Sequence, residues 1–202
     1  MTMLLIKFSE HISNTLNYHY CMNEKFKSPE QSRVMLSLLM LPSHANFSGK
    51  IHGGYVLSLI DQIAFACASK HSGVYCVTAS VDVVDFKAPI EVGEMLTLKA
   101  TVNYVGTSSI VVGIRVDAEN IQTGESKHCN SSFLTMVAKD NHGKTVPVPG
   151  LKISNETDVR RFARAIKRKE IKKKSAKEIA EANFSDVSYK EELKNYNVEI
   201  NL

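Results

Sequence analysis

The sequence predicts an α+β fold in which an antiparallel sheet wraps around one long helix. The first observation behind this prediction is a run of apolar residues at helical spacing between Gly53 and Gly73. The second is a set of four strand-like stretches after that helix, which short turns connect. Because neighbouring parallel strands need connections of about a dozen residues or more, these turns predict antiparallel pairing. Such a sheet can cover the helix with one face.

Length and composition place the chain among soluble globular proteins. Its 202 residues are enough for one core-bearing domain with extensions, and 44% hydrophobic with 23% charged residues argues against global disorder. No apolar run is long enough to span a membrane, and the N-terminal run is too short for a secretion signal, so we expect a cytoplasmic protein without a membrane partner. No cysteine belongs to a Cys-x-x-Cys pair, which predicts free, buried thiols at Cys21, Cys67, Cys76 and Cys129.

Shifts in composition predict three regions. Residues 1–28 form an N-terminal extension without a firm period, residues 29–150 form the globular domain, and residues 151–202 form a charged, helical C-terminal extension. Within the domain, the apolar run at 31–41 predicts a strand, because it is short and Pro42 follows it.

The long helix is expected to begin near Gly53 and to end near Gly73. Lys70 and His71 fall in its last turn, where cations suit the negative end of the helix dipole. Nearly every position in its middle is apolar or small, which predicts a helix that is covered on several sides. Asp61 interrupts this run, so its carboxylate must be desolvated, paired or placed at an interface.

Alternating and β-branched residues predict four strands after the helix, each bounded by glycine, proline or a short polar turn. Their predicted ranges are Val74–Lys87, Glu94–Tyr104, Ile110–Ile121 and Ser126–Lys139. Glycine and proline in the stretch 141–150 then predict a linker, which leads to the charged C-terminal segment.

Two features of the long helix point to chemistry. Gly53 and Gly54 leave backbone N–H groups at the positive end of the helix dipole, where a carbonyl oxygen or a developing oxyanion is stabilised. Asp61 follows Gly54 by nearly two turns, so both share a face but stand about 10.5 Å apart along the axis. One carbonyl carbon cannot contact both within a single chain. If they share a substrate, Asp61 must act beside the glycine pair of a second chain, across a two-fold axis.

Basic residues dominate the stretch from Arg160 to Lys177, in which Glu170 is the only acid. A solvated helical face, a surface that contacts phosphate groups and a nucleic-acid-binding surface are three interpretations of this pattern. His44 and His52 invite a metal interpretation, but no third ligand stands at a fitting spacing, so we expect no metal site.

A linked set of motifs follows the order of these elements. It consists of Asn46-x-x-Gly49-x-x-His52-Gly53-Gly54, Asp61 inside the helix, Val81-Asp82-x-Val84-Asp85-Phe86-x-x-Pro89-Ile90, Gly106-Thr107-Ser108-Ser109 and Val146-Pro147-Val148-Pro149. The set resembles the hotdog-fold acyl-CoA thioesterases, in particular the cytosolic acyl-CoA hydrolases of the brain-type and short bacterial kind. The resemblance covers about residues 31–165.

The resemblance implies a hotdog fold, in which a long helix is wrapped by an antiparallel sheet and two such domains pair with active sites at their interface. It implies hydrolysis of fatty acyl-CoA to free fatty acid and CoA without a metal or cofactor, since CoA is part of substrate and product. It also implies a homo-oligomer, a dimer at least and a trimer of dimers as the larger assembly. No nucleic-acid partner is expected.

The family's catalytic asparagine and aspartate match Asn46 and Asp61. In the hypothesis that follows, Asp61 is the general base, Asn46 holds the water or the carbonyl, and the N–H of Gly54 stabilises the oxyanion. Further contacts to substrate and CoA are expected from His52, Gly53, Thr107, Ser108, Ser109, Arg160, Arg161 and Arg164.

Two other functions stay open on the sequence alone. A hotdog enoyl-CoA hydratase or dehydratase would use a histidine paired with an acid, and His44 and His52 are available for that role. A non-catalytic acyl-CoA sensor would bind its ligand without turnover and contact DNA through the basic segment.

Overall fold

A computed structural model describes residues 25–182 and 192–199. The predicted N-terminal extension lies almost entirely outside the described residues, as does part of the C-terminal extension. The chain divides into two compact units between Ala165 and Ile166. The division of the sequence at residues 29 and 150 stays a prediction.

The elements of the first unit follow one another along the chain. They are strand β1 (Phe26–Lys27), helix α1 (Pro29–Ser32), strand β2 (Val34–Leu39), helix α2 (Gly53–Ser72), and strands β3 (Tyr75–Val81), β4 (Glu94–Val105), β5 (Ser109–Asn120), β6 (Ser126–Lys139) and β7 (Gly150–Leu151). A short 3-10 turn at Pro42–His44 precedes α2. Helix α3 (Glu156–Glu181) begins in the first unit and continues into the second.

Five strands form one antiparallel sheet in the order β2-β4-β5-β6-β3, and α2 contacts all five of them. Side chains of β4 and β5 alternate between the two faces of the sheet, and those that face α2 are almost fully buried. They form one core with Ile60, Ile63 and Cys67 of α2. The predicted α+β architecture, an antiparallel sheet around a long helix, is confirmed.

The ends of α2 match their prediction, although one of its last residues has another role. Gly73 adopts a left-handed conformation (φ 75°), and its N–H donates to the Ser69 carbonyl. His71, predicted to be a cation near the helix end, is instead fully buried. Burial, together with nearby Lys27, lowers the pKa of His71 more than the contact with the Pro149 carbonyl raises it.

The first predicted strand is shorter than the apolar run suggested. Residues Pro29–Ser32 form α1, since proline fits the start of a helix and Gln31 Oε1 accepts a hydrogen bond from the Ser28 N–H (2.7 Å). β2 therefore starts only at Val34.

The strand predicted at Val74–Lys87 ends at Val81. Beyond it, the N–H groups of Asp82 and Lys87 donate single hydrogen bonds to carbonyls of β6. Asn130 Nδ2 donates a hydrogen bond to the Asp85 carbonyl (2.8 Å). A side-chain hydrogen bond thus replaces one of the backbone hydrogen bonds that a regular strand would form. Residues 82–87 therefore lie beside β6 without regular strand pairing.

The terminal strands β1 and β7 pair in parallel; β1 lies within the predicted N-terminal extension, and β7 spans the predicted boundary after residue 150. Lys27 on β1 is buried, and its Nζ donates to the His71 carbonyl at the end of α2 (3.0 Å). Residues on either side of the globular region are thereby joined to its central helix. Within the described residues, no helix combines the length and the apolar content that crossing a bilayer requires.

Candidate functional site

The loop before α2 is organised by the side chain of Asn46. Its Oδ1 accepts hydrogen bonds from the Ser48 N–H (3.0 Å), the Ser48 hydroxyl (2.8 Å) and the Lys50 N–H (3.2 Å). Three donors on one oxygen fix the orientation of the carboxamide. Its Nδ2 has no hydrogen-bond partner among the described residues and can donate to a bound group.

The N-terminus of α2 is capped by His52. The Gly54 N–H, expected to be bare, donates to His52 Nδ1 (2.9 Å), so the imidazole occupies this donor. The Gly53 N–H finds no partner in the part of the chain that the structure describes. A Cβ on Gly53 would lie 3.5 Å from the ring of Phe86, which is an ordinary van der Waals distance.

A cleft of about 370 Å³ opens beside these two donors. Its floor and walls are mostly apolar, with Asn46 and Gly53 among its polar lining, and it is lined further by Ile51, Val56, Phe86, Ala88, Pro89 and Ile90. Lys50 and Lys87 also line the cleft, and Lys50 Nζ pairs with the Glu91 carboxylate (2.7 Å). An apolar cleft with a few convergent donors is the usual form of a small-molecule site.

The Asp61 carboxylate lies outside this cleft. It is exposed, and its Oδ1 accepts a hydrogen bond from the Thr78 hydroxyl on β3 (2.6 Å). The bond leaves Oδ2 for another group. Since α2 is continuous from Gly53 to Ser72, the separation of about 10.5 Å between Gly54 and Asp61 along the axis holds in this structure.

Two exposed apolar side chains flank Asp61 along the helix, beside the exposed polar side chains of Ser58 and Gln62. Leu57 and Phe65 stand one turn before and one turn after it, and they are 37% and 38% exposed. The ring of Phe65 contacts that of Tyr75 on β3 (5.3 Å between centroids), an edge strand of the sheet. Exposed apolar side chains along this ridge favour an interface over a fully solvated helix face.

The turn residues that were predicted to contact CoA lie far from the cleft of their own chain. Thr107, Ser108 and Ser109 form the turn from β4 to β5, where the carbonyls of Thr107 and Ser108 accept hydrogen bonds from Val148 and Ala138. Twelve residues of β4 stand between this turn and the Glu94 end, near Glu91 and Lys50. At about 3.3 Å per residue, β4 puts the turn and the cleft at opposite ends of the sheet.

The predicted arginines occupy the first turns of α3. The ring of Phe162 contacts that of Tyr104 on β4 (5.1 Å), which brings this part of α3 to the same end of the sheet as Thr107. Arg161 Nη1 pairs with the buried carboxylate of Asp158 (3.1 Å). Arg160 and Arg164 are exposed.

The described cysteines are poorly suited to nucleophilic catalysis. Cys67, Cys76 and Cys129 are free and buried, as predicted, whereas Cys21 lies outside the described residues. Burial raises the pKa of all three thiols, and that of Cys67 to about 12. A thiol with a raised pKa is rarely ionised near neutral pH.

Three residues near the site were missing from the sequence prediction. Thr78 was treated only as part of a strand, because no local pattern shows that a strand residue faces a given helix position. Phe86 and Lys87 fall within the stretch 81–90 that supported the resemblance, but nothing in the sequence indicated that they line the cleft.

Comparison with known proteins gives these positions a context. Residues 48–125 match the family described as the thioesterase superfamily. Protein VdlD of Helicobacter pylori is 43% identical over 143 residues, which cover 71% of this chain and 82% of VdlD. The solved structure of an apo-hexameric acyl-CoA thioesterase superposes with a TM-score of 0.72 at 43% identity, over 74% of this chain and 96% of its own.

A second solved structure is an acyl-CoA hydrolase from Staphylococcus aureus in complex with butyryl-CoA, CoA and CoA disulfide. It has a TM-score of 0.69 at 31% identity, over 77% of this chain and 97% of its own. Alanine variants of that enzyme have been solved at an asparagine, an aspartate and a threonine, with 15 residues from the first to the second and 17 from the second to the third. Asn46, Asp61 and Thr78 keep both separations. The identity to VdlD over most of its length and the shared arrangement of helix and sheet show that this chain belongs to the thioesterase superfamily.

Proposed function

We propose that the chain is an acyl-CoA thioesterase, which hydrolyses fatty acyl-CoA to a free fatty acid and CoA. The observation that carries the proposal is the set formed by Asn46, Asp61 and Thr78, in which Thr78 holds the carboxylate and Asn46 presents a free amide beside an apolar cleft. The same residue types at the same separations in the Staphylococcus aureus hydrolase support it.

The active site in this proposal is built from two chains. Within one chain, Asn46 and Gly53 line the cleft, whereas Asp61 lies on an exposed ridge outside it. A two-fold axis beside this ridge would bury Leu57 and Phe65 and would bring each Asp61 to the cleft of its partner. The smallest active form is then a homodimer with two equivalent sites, and a trimer of such dimers is the larger assembly.

The chemistry follows from the two kinds of group at this site. Asp61 takes a proton from a water molecule, and the resulting hydroxide attacks the thioester carbonyl carbon. The Gly53 N–H and Asn46 Nδ2 donate to the developing oxyanion, close to the positive end of α2. Collapse of the tetrahedral intermediate breaks the C–S bond, and the proton held by Asp61 passes to the departing CoA sulfur.

The choice of donor departs from the sequence prediction. Gly54 was expected to stabilise the oxyanion, but its N–H already donates to His52 Nδ1. In this geometry Gly53 is the available donor, and Gly54 can join only if the His52 ring rotates away. His52 would then act through the conformation of the helix end rather than by direct contact with the carbonyl.

The proposed contacts to CoA also require the second chain. Thr107, Ser108 and Ser109 lie at the far end of the sheet from their own cleft, so they can serve only a cleft of another subunit. In this proposal the exposed Arg160 and Arg164 neutralise CoA phosphates there. Arg161 contributes less in this proposal, because its guanidinium already pairs with Asp158.

Hydration of an enoyl-CoA is disfavoured by the surroundings of the two histidines. His44 accepts a hydrogen bond from the Leu41 N–H and stacks on Tyr55 (4.0 Å between ring centroids), while His52 caps α2. Neither has a carboxylate among the partners that the structure describes, whereas an acid–base histidine in this role would need one.

Release of free CoA thiol from acyl-CoA substrates of several chain lengths tests the proposal. We expect turnover by the wild-type protein and a loss of about 10³-fold in kcat for Asp61→Asn, which keeps the hydrogen bond from Thr78 but cannot accept a proton. Glu125→Gln, an exposed acid in the hairpin between β5 and β6, is the matched control and should keep full activity. Hydration of enoyl-CoA without thiol release, or near-native turnover by Asp61→Asn, would contradict the proposal.

A further inference from the structure

The part of α3 in the second unit carries an excess of positive charge. Residues 166–181 contain seven lysine or arginine residues and three glutamates, and every one of these side chains is exposed. The formal charge of this short segment is therefore +4, which equals that of the whole chain. The rest of the chain therefore has a formal net charge of zero, and the net positive charge lies on this helical segment.

The three glutamates all lie along one side of this segment. They pair with lysines one turn away: Lys167 with Glu170 (3.3 Å), Lys174 with Glu178 (3.7 Å) and Lys177 with Glu181 (3.6 Å). At about 100° per residue, these six residues fall within an arc of about 100°. This side of the helix is a ladder of alternating charge.

A second side has a different composition. Arg168, Ile171, Lys172, Ser175 and Ile179 fill the adjacent arc of about 100°, which we call the cationic strip, and no acid of residues 166–181 falls within it. Ile171 and Ile179 are 58% and 61% exposed. The strip thus combines positive charge with two aliphatic side chains in contact with solvent.

This combination discriminates between anionic partners. A nucleic acid attracts basic residues, but base stacking uses aromatic side chains, and residues 166–181 contain none. Aliphatic side chains flanked by lysine and arginine are typical of helices that lie in a membrane interface, where the cations meet lipid headgroups and the apolar groups enter the acyl boundary. The isoleucines have a role at a bilayer and none at a phosphate backbone.

We propose that the cationic strip of α3 docks on an anionic lipid bilayer and holds the protein at the membrane surface. The association is peripheral, since Arg168 and Lys172 would contact headgroups and only Ile171 and Ile179 would reach the acyl boundary. It departs from the expectation of no membrane partner, which rested on the lack of an apolar run long enough to span a bilayer. It uses no residue of the proposed active site, so it stands independently of the proposed function.

Co-sedimentation of the full chain with lipid vesicles tests the proposal at about 0.1 M salt, where screening still allows contacts at short range. We expect binding to phosphatidylcholine vesicles that contain phosphatidylglycerol and none to phosphatidylcholine alone. One basic residue near an anionic surface contributes about a factor of five. The double variant Arg168→Glu/Lys172→Glu should therefore bind at least about 30-fold more weakly.

The matched control is Lys169→Glu/Lys173→Glu. It has the same change of net charge and the same spacing, but it is rotated by about 100° around the helix. Its binding should fall clearly less than that of the strip variant. Ile171→Ser/Ile179→Ser leaves the charge unchanged and should weaken binding by about tenfold, because the apolar contribution is lost.

Three results would overturn the proposal: no binding to anionic vesicles, equal losses for the two charge-reversal variants, or a preference for duplex DNA that the isoleucine substitutions leave unchanged. Circular dichroism of each variant shows whether α3 is retained. Because the readout is sedimentation, it keeps its meaning even if the protein proves to have no thioesterase activity.

Discussion

The two ends of α2 differ in how their polar groups are hydrogen-bonded. At the C-terminal end, His71 is fully buried, its Nε2 lies 3.0 Å from the Pro149 carbonyl, and its own carbonyl accepts from Lys27. At the N-terminal end, the Gly53 N–H and Asn46 Nδ2 have no partner among the described residues, and both residues line a cleft. At the closed end the ring and the carbonyl of His71 find partners within the chain, although the buried Ser69 Oγ has none among the described residues. The open end keeps donors for a bound group.

This difference predicts that one end of α2 contributes mainly to stability and the other mainly to activity. Buried polar groups that lose a partner destabilise the fold, so substitutions at the closed end should lower the free energy of unfolding. Unpartnered donors beside a cleft contribute little to the fold, so substitutions at the open end should lower turnover. A substitution that moved both quantities equally would break the comparison.

Asn46→Asp should give the largest effect after that of Asp61→Asn. Aspartate keeps the oxygen that accepts from Ser48 and Lys50, but it has no N–H to donate to an oxyanion and adds a negative charge beside it. We expect kcat to fall by about 10²–10³-fold while the midpoint of thermal unfolding stays nearly unchanged. Steady-state kinetics and thermal unfolding of the same preparation check this, and retention of activity would remove Asn46 from the site.

His71→Leu should destabilise the protein without affecting its chemistry. Leucine fills a similar volume, but it leaves the Pro149 carbonyl without its partner, whereas the Ser32 hydroxyl keeps its hydrogen bond to the Pro29 carbonyl (3.2 Å). We expect the free energy of unfolding to fall by about 2–3 kcal/mol and kcat at low temperature to change by less than about twofold. Urea denaturation measures the first quantity and thiol release the second.

The same substitution sharpens the comparison through pH. The folded state lowers the pKa of His71 from its usual 6.5, mainly through burial, so below that pH the unfolded chain binds a proton that the folded chain does not. The stability of the wild-type protein should therefore fall as the pH drops below about 6.5, and His71→Leu should lose part of this dependence. Equal pH slopes for both proteins would show that His71 does not titrate in this way.

Among the substitutions at the proposed active site, Thr78→Val should give the smallest loss of kcat. It removes the hydroxyl that donates to Asp61 and leaves the carboxylate itself in place. We expect kcat to fall by about 10–30-fold, because the carboxylate stays in place but loses the hydrogen bond that orients it. Thr78→Ser restores the hydroxyl and is the control, so an equal loss in both variants would indicate a packing defect.

The sequence predicted the regular elements well and the polar contacts poorly. The bounds of α2 and of the three long strands β4, β5 and β6 agree with their predictions to within one residue, because apolar period and turn glycines are local signals. The bond between Asp61 and Thr78 joins residues whose approach depends on how β3 lies against α2. No local pattern reports that register.

Two predictions about the ends of α2 were wrong for a related reason. His71 was expected to be a cation in the last turn of the helix, but it is fully buried and its ring lies against the Pro149 carbonyl. The pair of glycines suggested two bare N–H groups, but the preceding His52 ring folds back on one of them. In both cases a histidine ring forms a hydrogen bond with a backbone group, and residue type alone does not specify which one.

The central claim is that Asn46 of one chain and Asp61 of another form each active site. Co-expression of two inactive variants, Asn46→Asp and Asp61→Asn, tests it directly. In a mixed dimer one site receives both native residues and the other neither, so random pairing should restore about a quarter of the wild-type activity. If both residues served the same chain, every site would carry one defect, and activity no greater than that of the separate variants would contradict the account.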